Sequence, residues 1–350
     1  MDIVLRDCMT GSAPCAPVCQ LSAQVRVSYS KYCKKVRAGL GSPRRISIKL
    51  GILTGSLLNP NGGPMPLDTA MVGASTEPVT HDVDARWTMS YAAALADHNP
   101  RYFDTHGQTV VAHPVFPVCL EWPVILGSRR LPGGDAMTPT QAARTVHASH
   151  DLHLYRPIRA GDRLTTRATV VGLQRIKPGA AQMLRLDTVD AGGELVCRTY
   201  QLSISRDVDV TGEPAPAKEL PELPKPSAAV STQLAFPIPV AAGSAHIYSE
   251  CARIWNPIHT DRAVALAAGL PDIILHGTAS LALAVTRLVD EYLGADPTRV
   301  RRLGGRFSAM VLMPSTLTLQ IVGPERNTLF FTLQTATGQS ALSQGFLVYG

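Results

Sequence analysis

Two hydrophobic patterns run along the chain and recur in the same order. In VHASHDLHLYRPI, LTTRATVVGLQRI, QMLRLDTVDAG and ELVCRTYQLSISR, apolar and polar residues alternate, and RVRRLGGRFSAMV, LTLQIVGP, NTLFFTLQTATG and QSALSQGFLVY repeat that alternation later. Alternation with a period of two predicts strands with one face buried. The other pattern is TASLALAVTRLVDEYLG, whose first half is apolar on every side and which stops at Gly294. Apolarity all round a helix predicts burial. Strands clustered after a helix predict an α+β unit.

That unit occurs twice. YAAALADHNPRYFD at 91–104 aligns with YSECARIWNPIHTD at 248–261 at a constant offset of 157, matching the tyrosine, the Asn-Pro pair and the final aspartate. Downstream, RPIRAGDRLTTRATVVG at 156–172 parallels AMVLMPSTLTLQIVG at 309–323. Self-similarity at a fixed spacing marks a duplicated unit. Residues 207–232, rich in proline and charge, read as the linker between halves at 71–206 and 233–350.

The net charge of +6 does not describe the folded body. Residues 1–70 hold nine Lys/Arg against three acids, leaving 24 of each in the remainder. A near-neutral body argues against nucleic acid as a partner. The leading segment also carries Cys8, Cys15, Cys19 and Cys33, without a paired metal-binding spacing. With no sustained period, it is expected to be a poorly ordered basic extension that does no chemistry. No stretch has the length and apolarity of a membrane-spanning helix. Cys119, Cys197 and Cys251 sit singly in apolar surroundings, which fits burial in a reducing compartment. The cytoplasm is the expected location, with organellar targeting by residues 1–70 left open.

Chemistry concentrates at 248–278. Asn256 before Pro257 predicts a helix start, with His259 in the first turn, Val264, Ala265 and Ala268 along the helix, and Gly269 and Pro271 ending it. His276-Gly277-Thr278 opens the buried helix. These residues resemble the MaoC-like, (R)-specific enoyl-CoA hydratase family of hotdog proteins, whose pattern is Asp-x-Asn-Pro-x-His. The resemblance covers roughly residues 80–350. It implies two fused hotdog domains, each an antiparallel sheet wrapped around a central helix, joined as an internal pseudo-dimer. It also implies a hydratase or dehydratase acting on a CoA-linked enoyl or 3-hydroxyacyl thioester, without metal or redox cofactor.

Onto this sequence the resemblance carries Asn256, Pro257 and His259 directly, makes Gly277 the amide facing the thioester oxygen, and places Ile254 where the family has its aspartate. His259 is thus the expected proton-transfer group, set against a histidine that merely bonds a neighbouring strand. Gly277 has a competing role in close helix packing. Glu250, Asp261 and Asp97 are the carboxylates that could assist, Asp261 also being suited to capping. His276, Thr278, Ser280 and Tyr102 complete the expected substrate contacts, with Arg253, Arg262 and Arg306 as candidate phosphate ligands.

In the first half, Asp97 holds the aspartate position, but Tyr102 replaces the histidine. If His113-Pro114 matches His276-Gly277, a proline without an amide hydrogen replaces the oxyanion donor. The first half is therefore expected to shape the acyl pocket, with its helix shortened by Pro114, Pro117 and Pro123. Thioesterase activity and non-catalytic thioester binding are the competing functions, the latter because of Ile254. Self-association through paired pseudo-dimers is a further expectation.

Overall fold

The computed structural model describes residues 66–135, 137–227 and 232–350, all within one compact unit, Leu58–Gly350. Most of the expected extension, with its four cysteines, lies outside the described residues.

The first half runs β1 (Leu67–Asp68), β2 (Val79–Asp82), α1 (Ala85–Ala94), α2 (Pro100–Phe103), α3 (Pro117–Ser128), α4 (Pro139–Ala143), β3 (Thr145–Leu154), β4 (Arg163–Ile176), β5 (Gly179–Val189) and β6 (Leu195–Arg206). After β7 (Val210–Thr211), the second half runs β8 (Thr232–Val240), α5 (Ser244–Ala252), α6 (Arg262–Ala267), α7 (Gly277–Tyr292), β9 (Val300–Phe307), β10 (Ser315–Glu325), β11 (Thr328–Gln334) and β12 (Ser340–Tyr349). The alternating segments become β3–β6 and β9–β12, because one face of each strand packs on a helix and the other does not. Among the described residues, no helix is long and apolar enough to cross a membrane.

Ten strands form one sheet in the order β2-β4-β5-β6-β3-β9-β12-β11-β10-β8. Read from either edge inward, each half has the same internal order, so the sequence repeat is also a topological one. The halves meet where β3 pairs antiparallel with β9, Leu152 opposite Leu303. Across this joint Arg302 grips Asp151 with two bonds of 2.8 and 2.9 Å. The equivalent tyrosines also meet: Tyr91 and Tyr248, both fully buried, share a hydroxyl–hydroxyl bond of 3.1 Å.

Helix α7 buries Leu281, Ala282, Ala284, Val285, Leu288 and Val289 against the sheet. Each fully buried leucine there contributes about 1.5–3 kcal/mol. Its counterpart α3 is shorter, 12 residues against 16, and carries Pro117 at its start and Pro123 inside. The expected truncation is present.

Three expectations need correction. Each half opens with a strand, β2 or β8, before its first helix. β8 contains Pro237 and Pro239, which are compatible with a strand because it lies at the sheet edge and pairs only with β10. Second, residues 67–71 are not loose: β1 pairs with β7, and Leu67 and Met71 are buried. Third, the start of the expected linker is packed down, with Val208 and Val210 buried and Ala215 bridged to Leu173. Gly172 permits this, since a Cβ there would stand 2.4 Å from the Ala217 nitrogen. Of the three cysteines in the body, Cys119 and Cys197 are buried and Cys251 partly so, all as free thiols.

Candidate functional site

The sequence between α5 and α7 does not form the single helix expected from Asn256-Pro257. Pro257–His259 make one 3-10 turn, and Asn256 makes no capping bond through its side chain. The helix proper, α6, starts later because Asp261 caps it, its Oδ1 accepting from the amides of Ala263 (2.9 Å) and Val264 (3.3 Å). Asp261 is therefore committed to structure, the capping alternative.

His259 is largely buried, and its Nδ1 lies 2.8 Å from the Ile274 carbonyl. A carbonyl only accepts, so Nδ1 carries the hydrogen and Nε2 of the neutral ring keeps a free lone pair. Burial pushes the His259 pKa down to about 4, the Ile274 bond opposing only in part. Desolvation is thus what keeps the ring neutral. The His276 ring stacks on His259 with centroids 3.7 Å apart, and its Nε2 meets Ser249 Oγ at 3.1 Å. Burial first, and His259 beside it, lower the His276 pKa.

Helix α7 begins at Gly277 with no side-chain cap. Its first amides therefore lack an intrahelical partner and carry the positive end of the helix dipole. A Cβ on Gly277 would lie 3.0–3.2 Å from the Phe307 ring, so close packing also requires glycine here. Thr278 Oγ1 accepts from Tyr248 (3.1 Å), and Ser280 Oγ donates to the His276 carbonyl (3.3 Å).

A cavity of about 350 Å³ opens onto these groups. Ile254, Asn256, His259, His276, Gly277, Thr278 and Ser280 line it together. The first half supplies another wall, through Val118, Glu121, Trp122 and Ile125 of α3, Arg129 just after it, and His147, Gln201 and Ser203 of the sheet. The first half was expected to shape the pocket, but none of these residues was named from sequence. The signal was a lone glutamate inside the apolar run PVFPVCLEWPVIL.

Other expected contributors lie elsewhere. Glu250 is exposed beside a separate surface groove. Tyr102 is fully buried in a small cluster with Ala92 and Val111, away from the cavity lining. Arg253 stacks on Trp87 at 3.8 Å, and Arg262 faces Asp272 at 3.4 Å. Arg306 does line the cavity.

Asp97 accepts from Thr286 of α7 at 2.8 Å, and His113 Nε2 lies 3.2 Å from the same hydroxyl. The Val115 amide donates to His113 Nδ1 (3.1 Å), so Nε2–H points to Thr286 and Thr286 donates to Asp97. His113 touches Tyr91 and Tyr102 as His276 touches Tyr248 and His259, which makes the two histidines equivalent. In the first half's counterpart of the site, Asp97 and His113 are thus engaged by a hydroxyl from the second half.

The comparisons with known proteins follow this division. Residues 70–199 match the FAS1-like dehydratase domain region, and residues 227–344 match the MaoC-like domain. Peroxisomal enoyl-CoA hydratase 2 of Arabidopsis thaliana is 28% identical over 182 residues, covering 49% of this chain but only 58% of the plant protein. The 3-hydroxyacyl-thioester dehydratase Y of Mycobacterium tuberculosis is 26% identical over 286 residues, covering 79% of this chain and 94% of its own. Among solved structures, a MaoC-like dehydratase from Phytophthora capsici superposes with a TM-score of 0.68 at 20% identity, over 80% of this chain and 98% of that one. A Mycobacterium tuberculosis protein described as having a double hotdog fold superposes at 0.54 and 16% identity, over 79% and 95%. Two domain matches in tandem, on a ten-stranded sheet whose halves repeat one strand order, give this chain a FAS1-like dehydratase region followed by a MaoC-like domain, fused as a double hotdog.

Proposed function

We propose that the protein is a hydratase or dehydratase of CoA-linked enoyl and 3-hydroxyacyl thioesters, with one productive site per chain, in the second half. The observation that carries this reading is the tautomer of His259: a neutral ring with Nε2 free, in a cavity shared with the uncapped start of α7. In the hydration direction, Nε2 takes a proton from water as the water oxygen bonds to C3 of the enoyl group. The C2=C3 electron pair moves toward the thioester oxygen, where the Gly277 amide and the helix dipole stabilise the developing negative charge. The proton held by His259 then passes to C2. Atoms balance without a change in overall oxidation state, so the reaction calls for no redox cofactor. Arg129, Arg206 and Arg306 line the cavity and make no ion pair among the described residues, which suits the phosphates of CoA.

Ile254 lines the cavity at the family's aspartate position, so His259 carries proton transfer alone. His259→Ala is expected to abolish hydration of enoyl-CoA while thioester binding, followed by calorimetry, survives. Wild-type kcat/KM should fall only as pH approaches 4. Ile254→Asp should raise the rate, by up to roughly 10²-fold for a well-placed second acid–base group. Undiminished turnover in His259→Ala would overturn the reading. Release of free CoA, detected with a thiol reagent, would favour a thioesterase. A wild type that binds but turns over nothing until Ile254→Asp is introduced would be a binding protein.

A further inference from the structure

Beneath α3, the buried face of a β-strand is polar where hydrophobic packing would be expected. Thr199, Gln201 and Ser203 alternate along β6 and are all buried, with Gln201 donating to Ser203 at 3.1 Å. Facing them, Glu121 is 1% exposed and accepts a hydrogen bond from the Thr199 hydroxyl at Oε1. Its Oε2 is buried with no hydrogen-bond partner. Buried carboxyl oxygens are ordinarily satisfied, because an unpaired one carries a desolvation penalty. Glu121, Gln201 and Ser203 all line the cavity that holds His259. Glu121 is the one carboxylate among the lining residues. Burial raises its pKa to about 7, the Thr199 bond opposing, so neither protonation state is strongly favoured until a ligand chooses one.

From the orphaned Glu121 oxygen and the Gln201–Ser203 strip on the acyl wall, we infer that the preferred substrate carries a hydrogen-bonding oxygen on its acyl chain, beyond the reacting carbons. This inference rests on the thioester reading above and names the substrate class within it. A hydroxyl would donate to Oε2 of the carboxylate; a keto group would instead accept from the protonated form. A plain hydrocarbon chain would leave Oε2 unpaired.

The test uses the full chain and a graded series of trans-2-enoyl-CoA thioesters, each as the plain chain, its hydroxylated form and its keto form. Saturated counterparts, which cannot be hydrated, serve as binding probes. Wild type is expected to favour an oxygenated chain by about 10-fold or more in kcat/KM and in affinity, because a site built for a hydroxyl rejects the analogue lacking it. The hydroxy and keto arms identify which oxygen is read. Glu121→Leu should erase that preference, bringing the affinities for the oxygenated and plain saturated chains together. Wild type binding the plain saturated thioester as well as the oxygenated one would overturn the inference, and that measurement needs no variant. A Glu121→Gln protein with unchanged melting and no turnover of any chain would also overturn it, by placing the carboxyl in the chemistry. Because the binding arm requires no catalysis, a protein that hydrates nothing would sink the hydratase reading and still report on this one.

Discussion

His113, His150 and His259 are each drawn by burial from 6.5 to a pKa of about 4. An unfolded chain takes up protons at these positions as the pH drops below 6.5, while the folded chain does not until about 4. Stability is therefore intact above 6.5 and lost progressively toward 4, at about 3 kcal/mol for each such group. Acid unfolding should begin well above the range in which carboxylates protonate. His150 isolates the effect, since neither of its ring nitrogens has a partner. His150→Leu is expected to move the acid midpoint, followed by circular dichroism, to lower pH with little change at pH 8. An unmoved midpoint would show that His150 does not contribute. The place of His259 among the cavity residues was legible from NPIH and its surroundings, but the cause of its neutrality was not. Desolvation depends on what the rest of the chain places around a ring, and the first-turn position said nothing about that.

Among the elements, α7 links packing to chemistry most directly. The Phe307 ring lies so near its first residue that a Cβ there would crowd it at 3.0–3.2 Å, and the same residue lines the cavity. Gly277→Ala should lower stability by about 1–3 kcal/mol through overpacking. If the displaced amide is the oxyanion donor, kcat should fall by up to roughly 10²–10³-fold. Melting temperature and kcat on enoyl-CoA separate the two contributions, and a destabilised variant with full kcat would reduce Gly277 to packing. The helix itself was readable, because a turn of helix apolar on every side is stable only where protein surrounds it. The one expected after Asn256 was misread, because the capping side chain is Asp261 and a 3-10 turn takes up the intervening residues. β8 escaped notice since its prolines usually argue against a strand, and only its edge position, a property of the sheet, permits them.

For the whole molecule, the duplication was legible as the 157-residue offset, and the bond between Tyr91 and Tyr248 is its physical counterpart. That the first half would shape the pocket was also legible; its polar lining was not, because Glu121, Gln201 and Ser203 converge only when α3 crosses β6, far apart in sequence. The body also begins earlier than composition suggests. Relative to a chain starting at Pro66, one starting at Val72 loses Leu67 and Met71 from the core beside β4 and β5. A stability difference of about 3 kcal/mol or more is expected from chemical denaturation, by analogy with emptying buried leucine and methionine sites. Equal stability would mean that this strand and turn add nothing. The Asp97–Thr286–His113 chain has a different implication. Thr286 belongs to the helix whose first turn serves the second half, yet its hydroxyl occupies the aspartate of the first. Freeing Asp97 for chemistry in the first half would mean removing a hydroxyl that the second half supplies. On the proposed reading, Tyr102→His alone would therefore leave the first half inactive, because Asp97 would still be engaged by a side chain from the other half.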